Sequence, residues 1–312
     1  MKRLVFSLEP LPPFRIDLTA WALRRRSDNV VDRWIDHTYR RVIMAGGLPL
    51  EVSVTQQGSP AEPRLRITVT GEHLPDETKS TVTELLERLL GLKIDLTRFY
   101  DFARGDDRLY GLVQRFRGFK PPRFPTLFEA LVNGIACQQL TLTFGMRLLN
   151  RLAAAQGVAF PGRRGPAHAF PRPEELAGLA PESVRGLSFS SQKARALIEL
   201  SQSITGGRFN PDELELLDDK SALARLLQLH GVGRWTAEYA LLRGLGRLHV
   251  FPADDVGGRH NLARFLEIAD SLDREGAMRI LQAWKPYGGL IYMHLLLDHL
   301  AHGGCITQVP PG

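Results

Sequence analysis

The chain has 312 residues, more than a single domain usually holds, so two folded units are expected. Apolar residues make up 44% and charged residues 24%, which fits a globular protein with a sizeable core and excludes a disordered or fibrous one. A net charge of +6 favours a polyanionic partner. The two cysteines, Cys137 and Cys305, rule out a disulfide framework and a four-cysteine iron–sulfur cluster.

Seven lysines leave 33 of the 40 basic residues as arginine, whose planar fork suits phosphate, although a GC-rich genome gives the same bias without function. No apolar run is long enough to span a membrane, and the first residues are too short and proline-broken for a signal peptide. The cytoplasm is the expected compartment, beside the nucleoid in a bacterium.

Residues 1–108 read as a mixed α/β domain. Leu50, Val52 and Val54 alternate with polar residues, as do Leu65, Ile67 and Val69, and the turn-rich stretch between them predicts an antiparallel pair. From Thr78 to Leu90 the period becomes helical and stops at Gly91. No catalytic motif lies here, so a scaffold is expected, with Arg24-Arg25-Arg26 as a solvated turn.

A basic passage runs from Arg104 to Arg123, and the prolines of GFKPPRFP remove the backbone donors a regular element needs. Residues 109–312 read as almost entirely helical. The spacing predicts helices over Thr126–Cys137, Thr141–Ala155, Pro173–Leu179, Pro181–Leu187 and Lys193–Ile204. Gly157 to Pro171 reads as a surface loop with Arg163 and Arg164 solvated, and Lys193 as a structural residue at a helix start. At the junction of the first two helices, Gln138 and Gln139 would be costly to bury without partners, so a polar junction open to water is the plain reading.

The most informative stretch is Ser221 to Arg259. Ser221 reads as a helix cap before Leu223, Leu226, Leu227 and Leu229. Gly231-Val232-Gly233 breaks that helix and leaves backbone N–H groups uncovered at the start of the next one, a cradle for phosphate that reads no sequence. In that next helix, which begins at Arg234, Trp235 and Tyr239 fall one turn apart on one face. Asp254 and Asp255 then lead towards a helix over Leu262–Ile268, and a carboxylate at a helix N-terminus is favoured by the dipole and the free N–H groups.

GVGRWTAEYALLRG followed by FPADD resembles the HhH-GPD DNA glycosylase superfamily, which contains endonuclease III, and in wording its AlkA-type 3-methyladenine DNA glycosylase II branch. The resemblance covers roughly Phe124 to Leu300. It implies an α+β protein, with an N-terminal antiparallel-sheet α/β domain followed by a mostly helical, two-lobed glycosylase domain whose hairpin spans about 221–243. It also implies base excision from double-stranded DNA containing alkylated purines, by a monomer. On the family pattern, Asp255 is the catalytic residue, with Asp254 as second choice, and Arg259 completes the motif. Gln139 matches the wedge that enters the space left by a flipped nucleotide, and Gln138 the pocket edge. Gly231, Val232, Gly233 and Arg234 would hold DNA phosphate, and the family suggests a monovalent cation bridging the hairpin.

Trp235 stands where bifunctional relatives place a lysine nucleophile, so water is expected to attack and strand cleavage to be absent. Trp235 and Tyr239 together favour a cationic base by stacking and cation–π attraction, unless both are ordinary core residues. An oxidised-purine glycosylase with lyase activity and a non-catalytic damaged-DNA-binding protein are the alternatives. Gly288-Gly289 and Leu296 depart from the family pattern near the last helix, which puts the pocket wall in question. His294 reads as a core histidine, and with His299 and His302 it makes no metal site.

Overall fold

Alternating apolar residues close the N-terminal third into a sheet with a dry inner face. In the computed structural model, which describes residues 1–162 and 167–306, β1 (Lys2–Leu8) is followed by α1 (Ile16–Arg24), β2 (Arg33–Ile35), β3 (Thr38–Ala45), β4 (Leu48–Gln57), β5 (Arg64–Gly71) and α2 (Thr78–Leu90). Arg163 and Arg164 lie outside the described residues. The strands are antiparallel in the order β1-β5-β4-β3-β2. The expected pair is β4 with β5, in a register that sets Val52 opposite Val69 and Val54 opposite Ile67. These four residues are buried with Leu23 of α1 and Val82, Leu86 and Leu89 of α2.

The rest of the described chain is mostly helix: α3 (Thr97–Ala103), α4 (Asp107–Arg115), α5 (Leu127–Cys137) and α6 (Leu142–Gln156) precede a two-residue ribbon, β6 (Ala159–Phe160) and β7 (Ala167–His168). Then come α7 (Pro173–Ala177), α8 (Pro181–Gly186), α9 (Ser191–Thr205), α10 (Asp219–Leu227), α11 (Arg234–Arg243), α12 (Val256–Phe265), α13 (Arg274–Leu281) and α14 (Gly288–His302). Side-chain caps set several starts: Thr126, Thr141 and Ser190 each accept the N–H three residues on. No helix among the described residues is long and apolar enough to cross a membrane.

Four expectations need correction. Asp218, not Ser221, caps α10, accepting the Ser221 N–H at 2.7 Å, so Ser221 lies inside the first turn of the helix. α12 begins at Val256, six residues before Leu262, because Asp255 caps it. The stretch from Gly157 to Pro171 is not wholly a surface loop: Phe160, Ala167 and Ala169 are buried against Val42 of β3. Nor is Arg24-Arg25-Arg26 a solvated turn, since Arg24 and Arg25 are 8% and 5% exposed. Arg24 donates to the carbonyls of Arg26 and Trp34.

Two apolar clusters divide the helical part into lobes. Leu131, Leu149, Leu197, Leu226 and Leu241 join α5, α6, α9, α10 and α11. Leu18, Phe99, Leu112, Leu262, Trp284 and Ile291 join α1, α3 and α4 to the C-terminal helices, so residue 108 lies within α4 on that second lobe. α11 runs between the two, giving Ala237, Tyr239 and Ala240 to the first and Leu242 to the second. The sheet is tied to α5 by a buried triad in which Arg41 donates to Asp32 (2.7 Å) and Glu129 (2.7 Å).

Candidate active site

Helix α11 places its first two turns over a pocket of about 1160 Å³ that opens between the lobes. Every site residue expected from the sequence lines it: Gln138, Gln139, the 231–234 turn, Trp235, Tyr239, Asp254 and Asp255. Residues from three separate segments of the chain are therefore brought together.

The hairpin is shaped by one glycine conformation. Gly231 sits at φ +76°, and a Cβ there would lie 2.5 Å from that of Ala196. Val232 is buried and pins the turn, while Gly233 caps α11 without a side chain and with open space around it. The first N–H groups of α11 thus point outward with nothing from the cap residue covering them. Arg234 lies beside them, more than half exposed and paired with Glu238 at 3.2 Å. The oxygen donors of the turn are backbone carbonyls. Those of Leu229 and Gly231 accept from Val232 N–H (3.1 Å) and Gln138 Nε2 (2.8 Å), and each keeps a second lone pair, so the turn fits an oxygen-loving monovalent cation. Among the described residues no group of three or more His, Cys, Asp or Glu residues could hold a metal.

Gln138 and Gln139 divide in role. Gln138 is fixed, its Nε2 donating to Gly231 O and to Thr236 Oγ1 at 2.7 Å. Gln139 is exposed, and its backbone is held in the left-handed region at φ +55°. Lys193 locks the turn from below, with Nζ donating to Ala136 O (2.9 Å) and Gln138 O (2.8 Å). It is the structural residue the sequence predicts, with its charge spent on carbonyls.

The two aspartates have different surroundings. Asp255 caps α12: Oδ1 accepts the Gly258 N–H at 3.1 Å, and Oδ2 accepts the hydroxyl of Tyr292. Burial, and then the charge of Asp255, hold the Tyr292 phenol well above its ordinary value, so it remains a donor. Asp254 instead pairs with Arg274 at 2.8 Å, and Arg274 also binds Glu238 at 2.9 Å. Arg259 donates to Ala253 O (2.7 Å) and Leu272 O (2.9 Å), which holds the turn carrying both carboxylates.

Trp235 and Tyr239 stack on each other with centroids 5.6 Å apart and planes at 27°. They form one aromatic wall, too close to admit a ring between them. The Tyr239 oxygen accepts from Arg25 Nη1 at 3.3 Å, and Arg25 Nη2 donates to Asn133 Oδ1 at 2.5 Å. Cys137 also lines the pocket, but burial pushes its thiol up, which disfavours a thiolate. The glycines at 288 and 289 serve packing. A Cβ at Gly289 would lie 2.6 Å from Leu248 O and 2.8 Å from Val250 O, so only glycine lets α14 approach that segment. Leu296 lines the pocket one turn beyond Tyr292, and His294 is a core residue.

Tyr292, Arg25 and Arg243 are lining residues to which the sequence reading gave no place in the site. Tyr292 shares the α14 face of Leu296, four residues on, and that spacing was the available signal. Arg25 and Arg243 carried none, because nothing local distinguishes a buried arginine from an exposed one.

A two-helix hairpin with a glycine-bracketed turn, beside a helix-capping aspartate in a pocket between two lobes, defines the helix-hairpin-helix class. The model of one family, described as "HhH-GPD superfamily base excision DNA repair protein", matches residues 132–286. The chain belongs to this superfamily. It is 27% identical over 209 residues to a DNA-3-methyladenine glycosylase of Bacillus subtilis, covering 67% of this chain and 69% of the relative. It is also 27% identical over 210 residues to DNA-3-methyladenine glycosylase 2 of Escherichia coli, covering 64% and 69%. Among solved structures, a 3-methyladenine DNA glycosylase from Archaeoglobus fulgidus superposes with a TM-score of 0.80 at 24% identity, covering 94% of this chain and 98% of its own. This last likeness establishes the fold, sheet domain included.

Proposed function

We propose that the protein is a monofunctional DNA glycosylase of base excision repair. It grips duplex DNA, takes an alkylated purine such as 3-methyladenine or 7-methylguanine out of the stack and hydrolyses its N-glycosidic bond. The observation that carries this reading is Asp255: a carboxylate with two donors fixing it, at the N-terminus of α12, in one pocket with an aromatic wall and a bare hairpin turn. The names of the curated relatives support the choice of alkylated purines.

A base cannot react while stacked, so the nucleotide must leave the duplex. The N–H groups at Gly231, Val232, Gly233 and Arg234 hold the backbone in place, contacts that position without reading sequence. Gln139 enters the gap in the duplex and Gln138 forms the pocket edge. As the C1′–N bond breaks, the sugar becomes oxocarbenium-like, and the Asp255 carboxylate stabilises that positive charge and orients water for attack on C1′. The tie of Asp254 to Arg274 supports Asp255 as the group free for this work. A monovalent cation, held by carbonyls of the turn, would neutralise phosphate charge there.

No lysine is among the described lining residues, and Lys193 is committed to two carbonyls. Water is therefore the nucleophile and the strand is not cut. The protein acts as a monomer, in the cytoplasm with the DNA it repairs. The test is base release from methylated duplex, scored with and without alkali. Abasic sites that break only with alkali are expected. Cleavage without alkali, or a borohydride-trapped adduct, would indicate a lyase, and binding without release would indicate a damage sensor.

A further inference from the structure

The pocket floor carries two buried cations that the aromatic wall does not explain. Arg25 is 5% exposed and Arg243 1% exposed, and both line the pocket. Neither has a carboxylate within ion-pair distance among the described residues. Arg25 binds the Tyr239 hydroxyl and the Asn133 amide oxygen; Arg243 binds Ala22 O (3.2 Å) and Met293 Sδ (3.6 Å) and lies over the Phe124 ring. The Nε atoms of both, and Trp235 Nε1, are buried without a partner. A guanidinium has five N–H donors, so each has donors to spare. Tyr239, accepting from Arg25, is left with its own hydrogen to donate. The polar atoms of this floor are therefore donors, and its charge is positive.

We infer that Arg25 is a specificity-determining residue: among the purine lesions the pocket admits, it favours neutral ones with hydrogen-bond acceptors along the O6/N7 edge. This rests on the glycosylase reading above. Arginine pairs with the O6 and N7 acceptors of a purine in the fork geometry that serves guanine in DNA. A neutral base leaves with the C1′–N9 electron pair; water oxygen bonds C1′, and one proton lost from that water ends on the base, giving the sugar hydroxyl and the free purine. Negative charge accumulates on the departing ring, where donors and a cation stabilise it. A 7-alkylpurine has N7 blocked, begins as a cation and departs neutral, so a buried positive neighbour opposes its binding and adds nothing to its departure.

The experiment compares kcat/KM on two duplexes, one with a single hypoxanthine and one with a single 7-methylguanine, for the intact chain and Arg25→Met. The intact chain should release both. Arg25→Met should lower hypoxanthine release tenfold or more and 7-methylguanine release by much less, so that the hypoxanthine to 7-methylguanine ratio falls. If Arg25→Met does not fold, as judged by thermal melting, Arg25→Lys and Tyr239→Phe are read instead, and both should lower the hypoxanthine to 7-methylguanine ratio. Parallel changes on both bases, or 7-methylguanine release by the intact chain with none of hypoxanthine, overturn the inference. Release of neither base by the intact chain overturns the glycosylase reading itself.

Discussion

Tyr292 donates its hydroxyl to Asp255 Oδ2 across 37 residues of sequence, so the last helix of the fold positions the carboxylate that caps α12. A hydrogen bond to a charged group is worth about 1.5–3 kcal/mol. Tyr292→Phe should therefore lower kcat/KM by about 10- to 100-fold with little change in KM. A merely structural role would also raise KM and lower the melting temperature, and kinetics and melting of the two proteins decide between them.

The neighbouring aspartates separate in the same assay. Asp255→Asn removes the charge that faces the developing cation, and base release should fall by about 100-fold or more. Asp254→Asn breaks the pair with Arg274, which is about a third exposed, so the loss is of order 1 kcal/mol or less and activity should stay within tenfold. Full activity in the Asp255 variant would remove the proposed mechanism, and inactivity in the Asp254 variant alone would transfer it.

Much of this site was legible because its parts obey local rules. Val232 between two glycines, Asp255 before a helix and Trp235 one turn from Tyr239 are short-range patterns, as are Val52 and Val54 in the sheet. What stayed hidden depended on distance in the chain. Ser221 reads as a cap, but Asp218, three residues earlier, accepts the Ser221 amide and puts that residue inside the first turn. Arg25 follows α1 at the edge of the sheet domain, and only the fold brings it under Tyr239, 214 residues away. A run of three arginines looks solvated in sequence, and burial of two of them is decided by Asn133, Trp34 and Phe124.

Gln139 offers a test of the wedge. A non-glycine residue at φ +55° costs roughly 1–3 kcal/mol and persists only where neighbours hold it. Gln138 and Lys193 do so here. Gln139→Ala should weaken binding to duplex carrying an abasic analogue by about tenfold, a loss of about 1.4 kcal/mol, while leaving affinity for undamaged duplex unchanged. Lys193→Met should weaken abasic binding too, by freeing the turn. Unchanged affinity of the alanine variant for the abasic duplex would sink the wedge assignment.

His294 makes stability depend on pH in a direction that can be worked out. Its ring is fully buried between Phe99 and Phe119, with centroids 5.2 Å from each. Nδ1 is 2.7 Å from Leu290 O, and Nε2 has no partner. Burial lowers the imidazole from 6.5 to about 4. Between those values the unfolded chain binds the extra proton and the folded chain does not, so stability is complete above pH 6.5 and falls as the pH drops towards 4. At about 1.36 kcal/mol per unit, the contribution is of order 3 kcal/mol. His294→Leu keeps the apolar packing and removes the titrating group. Its melting temperature should therefore fall less between pH 6.5 and 4.5 than that of the parent, even as buried carboxylates such as Glu129 titrate in both. Parallel melting curves across that range would show that this histidine takes up its proton without cost to the fold.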